Sequence, residues 1–176
     1  MSIEKTKSIF RIQVNSSIER HPVPILGIDY KVKITYKNIK FIQLDVEEKT
    51  INISLPNRYK KMSNTNILDL AIDKMYEQIA STEIERAMEK TRIMLGFAPE
   101  EYEITKMNKV GKCEDGKITI NPEIVKYNRK IIDYAVLHEY CHLKFKTHAK
   151  GFYKLLEKYE PNYKEYEQIL KKLFIK

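Results

Sequence analysis

Three of the four histidines in this 176-residue chain lie in one stretch, HEYCHLKFKTH at 138–148. His138 and His142 are four residues apart, so on an α-helix both rings project to one side and can reach a single ion. Glu139 is rotated by about 100° from His138 around the helix axis, which places its carboxylate beside such an ion. The spacing therefore predicts a hydrolytic zinc site, with two histidine ligands and Glu139 as the general base that takes a proton from water.

The third ligand requires a turn in the chain. A continuous helix would place His148 about 240° around the axis from His142, too far to share an ion. We expect the turn at Lys146–Thr147, which would bring His148 back as the third ligand of one zinc per chain. A carboxylate of the following helix, Glu157 or Glu160, is the alternative third ligand.

The element that must carry the motif is a helix over RKIIDYAVLHEYCHLKF, residues 129–145. It is apolar nearly all round, so we expect it in the core. An alternative interpretation makes His138 and His142 core histidines held by hydrogen bonds. That arrangement would bury two imidazoles and a carboxylate without a cation, which is costly. Residues 149–159 and 162–174 are predicted to form two amphipathic helices after the motif.

The first third of the chain has the pattern of strands. Four stretches alternate apolar and polar residues, as in a sheet with one buried face: KSIFRIQV, DYKVKITY, KFIQLDV and TINISLP. Turn residues separate them, including Pro22 and Pro24 after the first stretch. The pattern predicts an antiparallel sheet of about four strands, with His21 on the surface.

The middle of the chain changes to helical periodicity at Asn66 and leaves it at Gly96. A slip of phase at Ser81–Thr82 allows either one helix or two. Two short strands follow, YEITKM and GKITINP, with Asp115–Gly116 suited to a tight hairpin turn. Asn121 and Asn128 are the predicted N-caps of the next two helical segments.

Composition and charge limit the classes of protein to which this chain can belong. No stretch approaches the roughly 18 apolar residues of a membrane helix, and the N-terminus lacks the apolar region of a secretory signal. Two cysteines, Cys113 and Cys141, lie in no zinc-knuckle or redox spacing, and a cytoplasmic location is predicted. The net charge of +8 concentrates toward the ends, in residues 1–62 and 144–176. Basic ends could contact a polyanion, although a lysine-rich composition produces such surfaces without one.

These motifs together resemble the YgjP-like metallopeptidase family, small zincins related to SprT-like metalloproteases. The resemblance covers roughly residues 105–170 and rests on a hairpin, a metal motif and a C-terminal segment, namely Gly111–Cys113, His138, Glu139, His142, His148, Phe152 and Pro161–Tyr163. The sequence departs from the family pattern at three positions. Val110 and Lys112 stand where the family has Trp and Ser, and Tyr153 replaces a Trp.

The resemblance implies an α+β fold, with an N-terminal antiparallel β-rich portion before a zincin-like, minigluzincin-type helical core that includes a short β-hairpin. We expect a β-rich subdomain over residues 1–62 and the metallohydrolase core over 63–176. The family also implies a zinc site made by three histidines with a glutamate base, matching His138, His142, His148 and Glu139.

Three functions are compatible with the site. The leading one is a zinc-dependent metallopeptidase that acts on peptides. The second keeps the metal and hydrolyses nucleotides or another phosphoanhydride, because members of the family have been labelled in both ways. The third is a nucleic-acid-binding module with structural zinc, but such sites are usually closed by four protein ligands. Tyr134 and Tyr163 are candidates to stabilise an oxyanion.

Overall fold

The computed structural model describes residues 22–61 and 64–174, which fold as an α+β protein. The predicted strand at 7–14 and His21 lie outside the described residues. The strands are β1 (Val23–Ile25), β2 (Ile28–Lys37), β3 (Gln43–Glu47), β4 (Thr50–Pro56), β5 (Glu101–Ile104), β6 (Gly111–Glu114) and β7 (Lys117–Ile120). The helices are α1 (Asn64–Leu95), α2 (Arg129–Lys144), α3 (Lys150–Tyr159) and α4 (Tyr163–Phe174), with 3₁₀ turns at Asn57–Tyr59 and Pro122–Lys126. The predicted fold class is confirmed.

The N-terminal sheet is mixed, with strand order β1-β2-β4-β3. β2 pairs with β4 in parallel, from Lys31 opposite Thr50 to Lys37 opposite Pro56, so the predicted all-antiparallel pairing is wrong at this step. β1 uses a segment that the prolines had indicated as a turn. Alternation of apolar residues fixes which face of a strand is buried but leaves its neighbour and direction open. β4 takes an inner position and contributes three fully buried side chains, Ile51, Ile53 and Leu55.

α1 is a single helix of 32 residues and does not break at Ser81–Thr82. Its first half faces the N-terminal sheet, where the Tyr76 hydroxyl donates to the Pro24 carbonyl at 3.0 Å. Its second half faces α2, where Met88 accepts a hydrogen bond from the Tyr140 hydroxyl at 3.1 Å. The slip of phase therefore reflects a change of packing partner along one helix.

The second sheet has the order β5-β7-β6 and includes the predicted hairpin. Its turn residues Asp115 and Gly116 have φ angles of 48° and 79°, the left-handed pair that a tight hairpin between antiparallel strands requires. β7 leads into the Pro122–Lys126 turn, where the Asn121 side chain accepts a hydrogen bond from the backbone N–H of Glu123 at 3.1 Å. The predicted cap is thus confirmed.

α2 crosses the centre of the molecule and is buried along most of its length. Ion pairs attach its first half to α1, including Arg129 to Glu83 at 2.6 Å and Arg86 to Asp133 at 2.7 Å. α3 packs on its other side through the fully buried Phe152. Among the described residues, no helix combines the length and the apolar character that crossing a membrane requires.

Candidate metal centre

The ends of α2 are fixed by local hydrogen bonds. At its start the Asn128 side chain accepts from the Ile131 N–H at 3.2 Å, as predicted for an N-cap. At its end the Phe145 N–H donates to the Cys141 carbonyl at 3.0 Å, and residue 145 then leaves the helical conformation. The chain turns over the next four residues and α3 begins at Lys150. The predicted turn is confirmed.

This turn returns His148 to the two histidines of α2. The Nε2 atom of His148 lies 3.0 Å from Nε2 of His142 and 3.0 Å from Nε2 of His138. The three ring centroids are 4.7 to 5.0 Å apart. In the described part of the chain, these three are the metal-ligating side chains that converge on one point, and neither Glu157 nor Glu160 joins them.

Phe152 forms a floor beneath the three imidazoles. Its ring centroid lies 4.9 Å from that of His138 and 4.7 Å from those of His142 and His148. Because Phe152 is fully buried in α3, the rings rest on a fixed apolar surface. The sequence matched this residue to the family pattern but did not indicate its contact with all three rings.

Groups behind the rings orient two of them. The Nδ1 atom of His142 is 3.0 Å from the Phe145 carbonyl, an acceptor, so we assign the ring proton to Nδ1 and a lone pair to Nε2. The Nδ1 atom of His138 contacts the Tyr134 hydroxyl at 3.5 Å. Tyr134 therefore lies against the ring nitrogen of His138 that does not face the other histidines.

Tyr163, the other candidate to stabilise an oxyanion, is separated from the histidines by the ring of Tyr153. Tyr163 packs on Tyr153 with ring centroids 5.7 Å apart, and Tyr153 packs on His148 at 6.0 Å. Tyr163 thus supports the cluster through another ring, and among the described residues it makes no ring contact or hydrogen bond with the histidines.

The donor set suits a metal cation. His148 Nε2 faces two other Nε2 atoms, and one N–H can satisfy only one of them fully. A cation among the three lone pairs would satisfy all of them at once. Burial lowers the pKa of His138 to about 3, with the charges of the neighbouring histidines acting in the same direction, and burial also lowers the pKa of His148. These rings therefore favour the neutral state in which imidazole binds metals.

Glu139 lies beside the three histidines, and burial shifts its pKa in the direction opposite to those of His138 and His148. It is 6% exposed, and no described residue donates a hydrogen bond to its carboxylate. Burial raises its pKa to about 8, while the positive charge of Lys109 acts in the opposite direction. A carboxyl group with this pKa exchanges protons near neutral pH.

Glu139 opens onto a cavity of about 280 Å³ that also includes His138 and His148. Its walls come from the segment before β6, from α2 and from α4. Gly111 leaves room for the carboxylate, because a Cβ atom built there would lie only 3.0 Å from Oε1 of Glu139. A larger groove of about 650 Å³ beside α1 contains none of the predicted site residues.

The two cysteines lie near the site without joining it. Cys141 is fully buried, as expected for core packing, and burial raises the pKa of its thiol to about 12. Cys113 is half-buried on β6, and burial followed by the charge of Glu139 raises its pKa. Both thiols are therefore poor metal ligands in this environment.

Comparison with solved structures finds partial overlap with two proteins. One is the metallopeptidase zymogen abylysin of Pyrococcus abyssi, with 26% identity, a TM-score of 0.46, and coverage of 51% of this chain and 94% of that chain. The other is the metallopeptidase zymogen jannalysin of Methanocaldococcus jannaschii, with 22% identity, a TM-score of 0.44, and coverage of 52% and 90%. Comparison with curated proteins gave no match.

The family comparison covers almost the whole chain. A family described as "YgjP-like, metallopeptidase domain" matches residues 2–173. This match is much longer than the segment at roughly 105–170 that contains the recognised motifs. The match extends over the N-terminal sheet, α1, the hairpin and all three histidines. The chain belongs to the YgjP-like metallopeptidase family, and it is a metal-dependent hydrolase.

Proposed function

We propose that His138, His142 and His148 bind one zinc ion and that Glu139 is the general base for hydrolysis of peptide bonds. The observation that carries this proposal is that Nε2 of His148 lies 3.0 Å from Nε2 of both His138 and His142, beside a buried carboxylate that has no hydrogen-bond donor among the described residues. Three protein ligands with an open position are typical of catalytic zinc. When bound, zinc supplies polarisation of the scissile carbonyl and acidification of water.

Glu139 moves the protons in this proposal. Its carboxylate accepts a proton from the attacking water and then donates it to the nitrogen of the leaving amine. The metal-free carboxyl has a pKa of about 8, and a dication bound nearby would lower this value, so the ionised form would be present at neutral pH. Burial beside the cavity keeps bulk water from competing for the same proton.

The histidines and their supports hold the geometry. The Phe145 carbonyl fixes the ring of His142, and Phe152 prevents the three rings from rotating away from one another. Tyr134 supports His138 from behind. Outer contacts of this kind orient metal ligands, and their loss weakens metal binding by about 10- to 100-fold.

We also propose that residues 63–176 carry the whole metal site and that residues 1–62 form a separate β-rich subdomain. Every site residue and every residue that lines the cavity falls between positions 109 and 171. The cytoplasmic location and a polyanion contact through the basic ends remain predictions of the sequence.

Metal content is the first test. We expect elemental analysis to find about one zinc per chain in tag-free wild-type protein and much less in His148→Ala. The matched control is Glu157→Ala, which removes the alternative carboxylate and should leave the zinc content unchanged. Loss of zinc in Glu157→Ala but not in His148→Ala would contradict the three-histidine site.

Substrate class is the second test. Zinc-loaded protein is incubated with a proteome-derived peptide library, and new peptide ends are identified by mass spectrometry. We expect cleavage by wild type and none by Glu139→Gln. Release of pyrophosphate from nucleotides without peptide cleavage would favour the phosphohydrolase alternative. Salt-sensitive nucleic-acid binding that survives Glu139→Gln, with neither activity, would favour the binding module.

A further inference from the structure

Two lysines line the cavity beside Glu139, and among the described residues one of them has a carboxylate partner within ion-pair distance while the other does not. These lysines are Lys109 and Lys171. Lys171 pairs with Glu167 on the same helix, with an Nζ to Oε1 distance of 3.2 Å. Lys109 is exposed and forms no ion pair with any carboxylate in the described part of the chain.

The two lysines nearest to Lys109 along the chain both have carboxylate partners. Lys106 pairs with Asp73 of α1 at 2.6 Å, and Lys112 pairs with Glu114 of β6 at 2.9 Å. Lys109 is the lysine between them, and it lines the cavity that contains Glu139.

The backbone that carries Lys109 is held in place. Asn121 is 2% exposed, and its side-chain amide donates to the carbonyls of Met107 at 2.7 Å and Lys109 at 3.1 Å. The Asn121 backbone N–H donates to the Val110 carbonyl at 2.8 Å. Three hydrogen bonds from one buried residue therefore fix the segment that approaches Glu139, and Lys109 starts from a defined position on the rim.

We propose that Lys109 binds a carboxylate of the substrate next to the scissile bond, so that the site prefers acidic peptides. This inference rests on the proposed peptidase function. An ammonium group pairs with a carboxylate through charge-assisted hydrogen bonds, and because Lys109 lies on the exposed rim the pair stays partly hydrated. The same charge repels substrates with Lys or Arg at that position, which adds to the selectivity. The carboxylate can come from an Asp or Glu side chain or from the C-terminus of the peptide.

The test compares cleavage sites in the peptide library. For zinc-loaded wild type we expect Asp, Glu or a free C-terminus to be enriched on one side of the cleaved bond. Synthetic peptides then separate the two sources: a Glu-to-Gln pair reports a side-chain carboxylate, and a free-acid and amide pair reports the terminal one. We expect about a tenfold higher kcat/KM for the acidic member of one pair, in the range of a charge-assisted hydrogen bond.

Variants assign the preference to Lys109. Lys109→Ala should remove the preference, measured as the kcat/KM ratio within each peptide pair, because the charge of Lys109 also acts on Glu139 and changes the rate for both members alike. Lys109→Glu should favour Lys-containing peptides. Lys112→Ala is the matched control, since it removes a nearby exposed lysine that is already paired and should preserve the preference. Binding of the same uncleaved peptides to zinc-loaded Glu139→Gln protein provides a readout that does not depend on turnover.

The outcomes separate this inference from the proposed function. Cleavage by wild type without acidic preference, or a preference that persists in Lys109→Ala, would overturn the role of Lys109 and leave the peptidase intact. Failure of zinc-loaded wild type to cleave any peptide would overturn the peptidase and the substrate preference together.

Discussion

Two glutamates on neighbouring helices, Glu83 of α1 and Glu139 of α2, are each 6% exposed but have opposite surroundings. Arg129 donates to Glu83 at 2.6 and 2.9 Å and Arg86 donates at 3.0 Å, and the hydrogen bonds from Arg129 are the main cause of its lowered pKa. Glu139 has no such donor among the described residues, and burial raises its pKa to about 8. Burial of a carboxylate does not by itself reveal its role; its partners do.

The same contrast between paired and unpaired surroundings is seen between the two halves of α2. The first half of this helix is attached to α1 by a network that continues from Arg86 to Asp133 at 2.7 Å and from Lys90 to Asp133 at 2.6 Å. The second half carries His138 and His142 and faces the cavity. One helix therefore has a paired, structural end and an end where a buried carboxylate has no hydrogen-bond donor among the described residues. Such groups are expected where a ligand supplies the missing interaction.

The largest expected effect in this comparison is that of Glu139→Gln on activity. Loss of a general base should lower kcat/KM by about 10³-fold on the best peptide from the library. Zinc content and the free energy of unfolding should stay close to those of wild type, because the amide has the same shape and no charged partner is lost. Glu83→Gln is the control and should retain full activity per folded, zinc-loaded chain. Comparable loss of activity in both variants would remove the distinction between the two glutamates.

A smaller effect is expected from Gly111→Ala. The added Cβ would lie 3.0 Å from the Oε1 atom of Glu139, so the carboxylate must shift by a few tenths of an ångström. We expect kcat/KM to fall about tenfold while zinc content is unchanged, because small displacements of a catalytic group are costly. Gly116→Ala is the control at the far end of the same hairpin. Its φ of 79° predicts lower stability without a specific loss of kcat. Unchanged kcat/KM in Gly111→Ala would show that the carboxylate tolerates the shift.

Glu83→Gln should instead lower stability. It leaves Arg129 and Arg86 without their shared partner, and we expect a loss of about 2 kcal/mol in the free energy of unfolding at pH 7, discounted because both arginines are partly exposed. Urea unfolding followed by circular dichroism measures it. Glu89→Gln is the matched control, since it breaks an exposed pair with Arg92 and should leave the unfolding midpoint unchanged. Equal effects of the two substitutions would mean that burial adds nothing to the ion pair.

The smallest effect is the pH dependence of the stability difference between wild type and Glu83→Gln. The pKa of Glu83 in the folded state lies below its ordinary value of 4.5, so the folded protein binds fewer protons there than the unfolded chain. Its contribution is fully present above that ordinary value and is lost as pH falls through the lower folded pKa. We expect the stability gap between wild type and Glu83→Gln to narrow as pH falls below about 4.5. A gap that widens in acid would contradict the assigned shift.

Features that depend only on residues close together in the sequence could be predicted from the sequence. Spacing of four put His138 and His142 on one side of α2, and the positive-φ pair Asp115–Gly116 formed the hairpin turn. Asn128 capped the helix that carries the site. These features are set by helix period, turn conformation and local hydrogen bonds, which a short stretch of chain specifies without knowledge of the rest.

Features that depend on residues far apart in the sequence became visible only in the tertiary structure. Parallel pairing of β2 with β4 could not be obtained from alternation, which is the same for either direction of the partner. The slip of phase within α1 could not be told from a helix break, because it depends on which element each half of the helix packs against. The close approach of Gly111 to Glu139 and the place of Lys109 on the same cavity likewise arise where β6 and the segment before it meet α2. Such contacts depend on how the elements pack together, because the pattern within each element leaves its neighbours open.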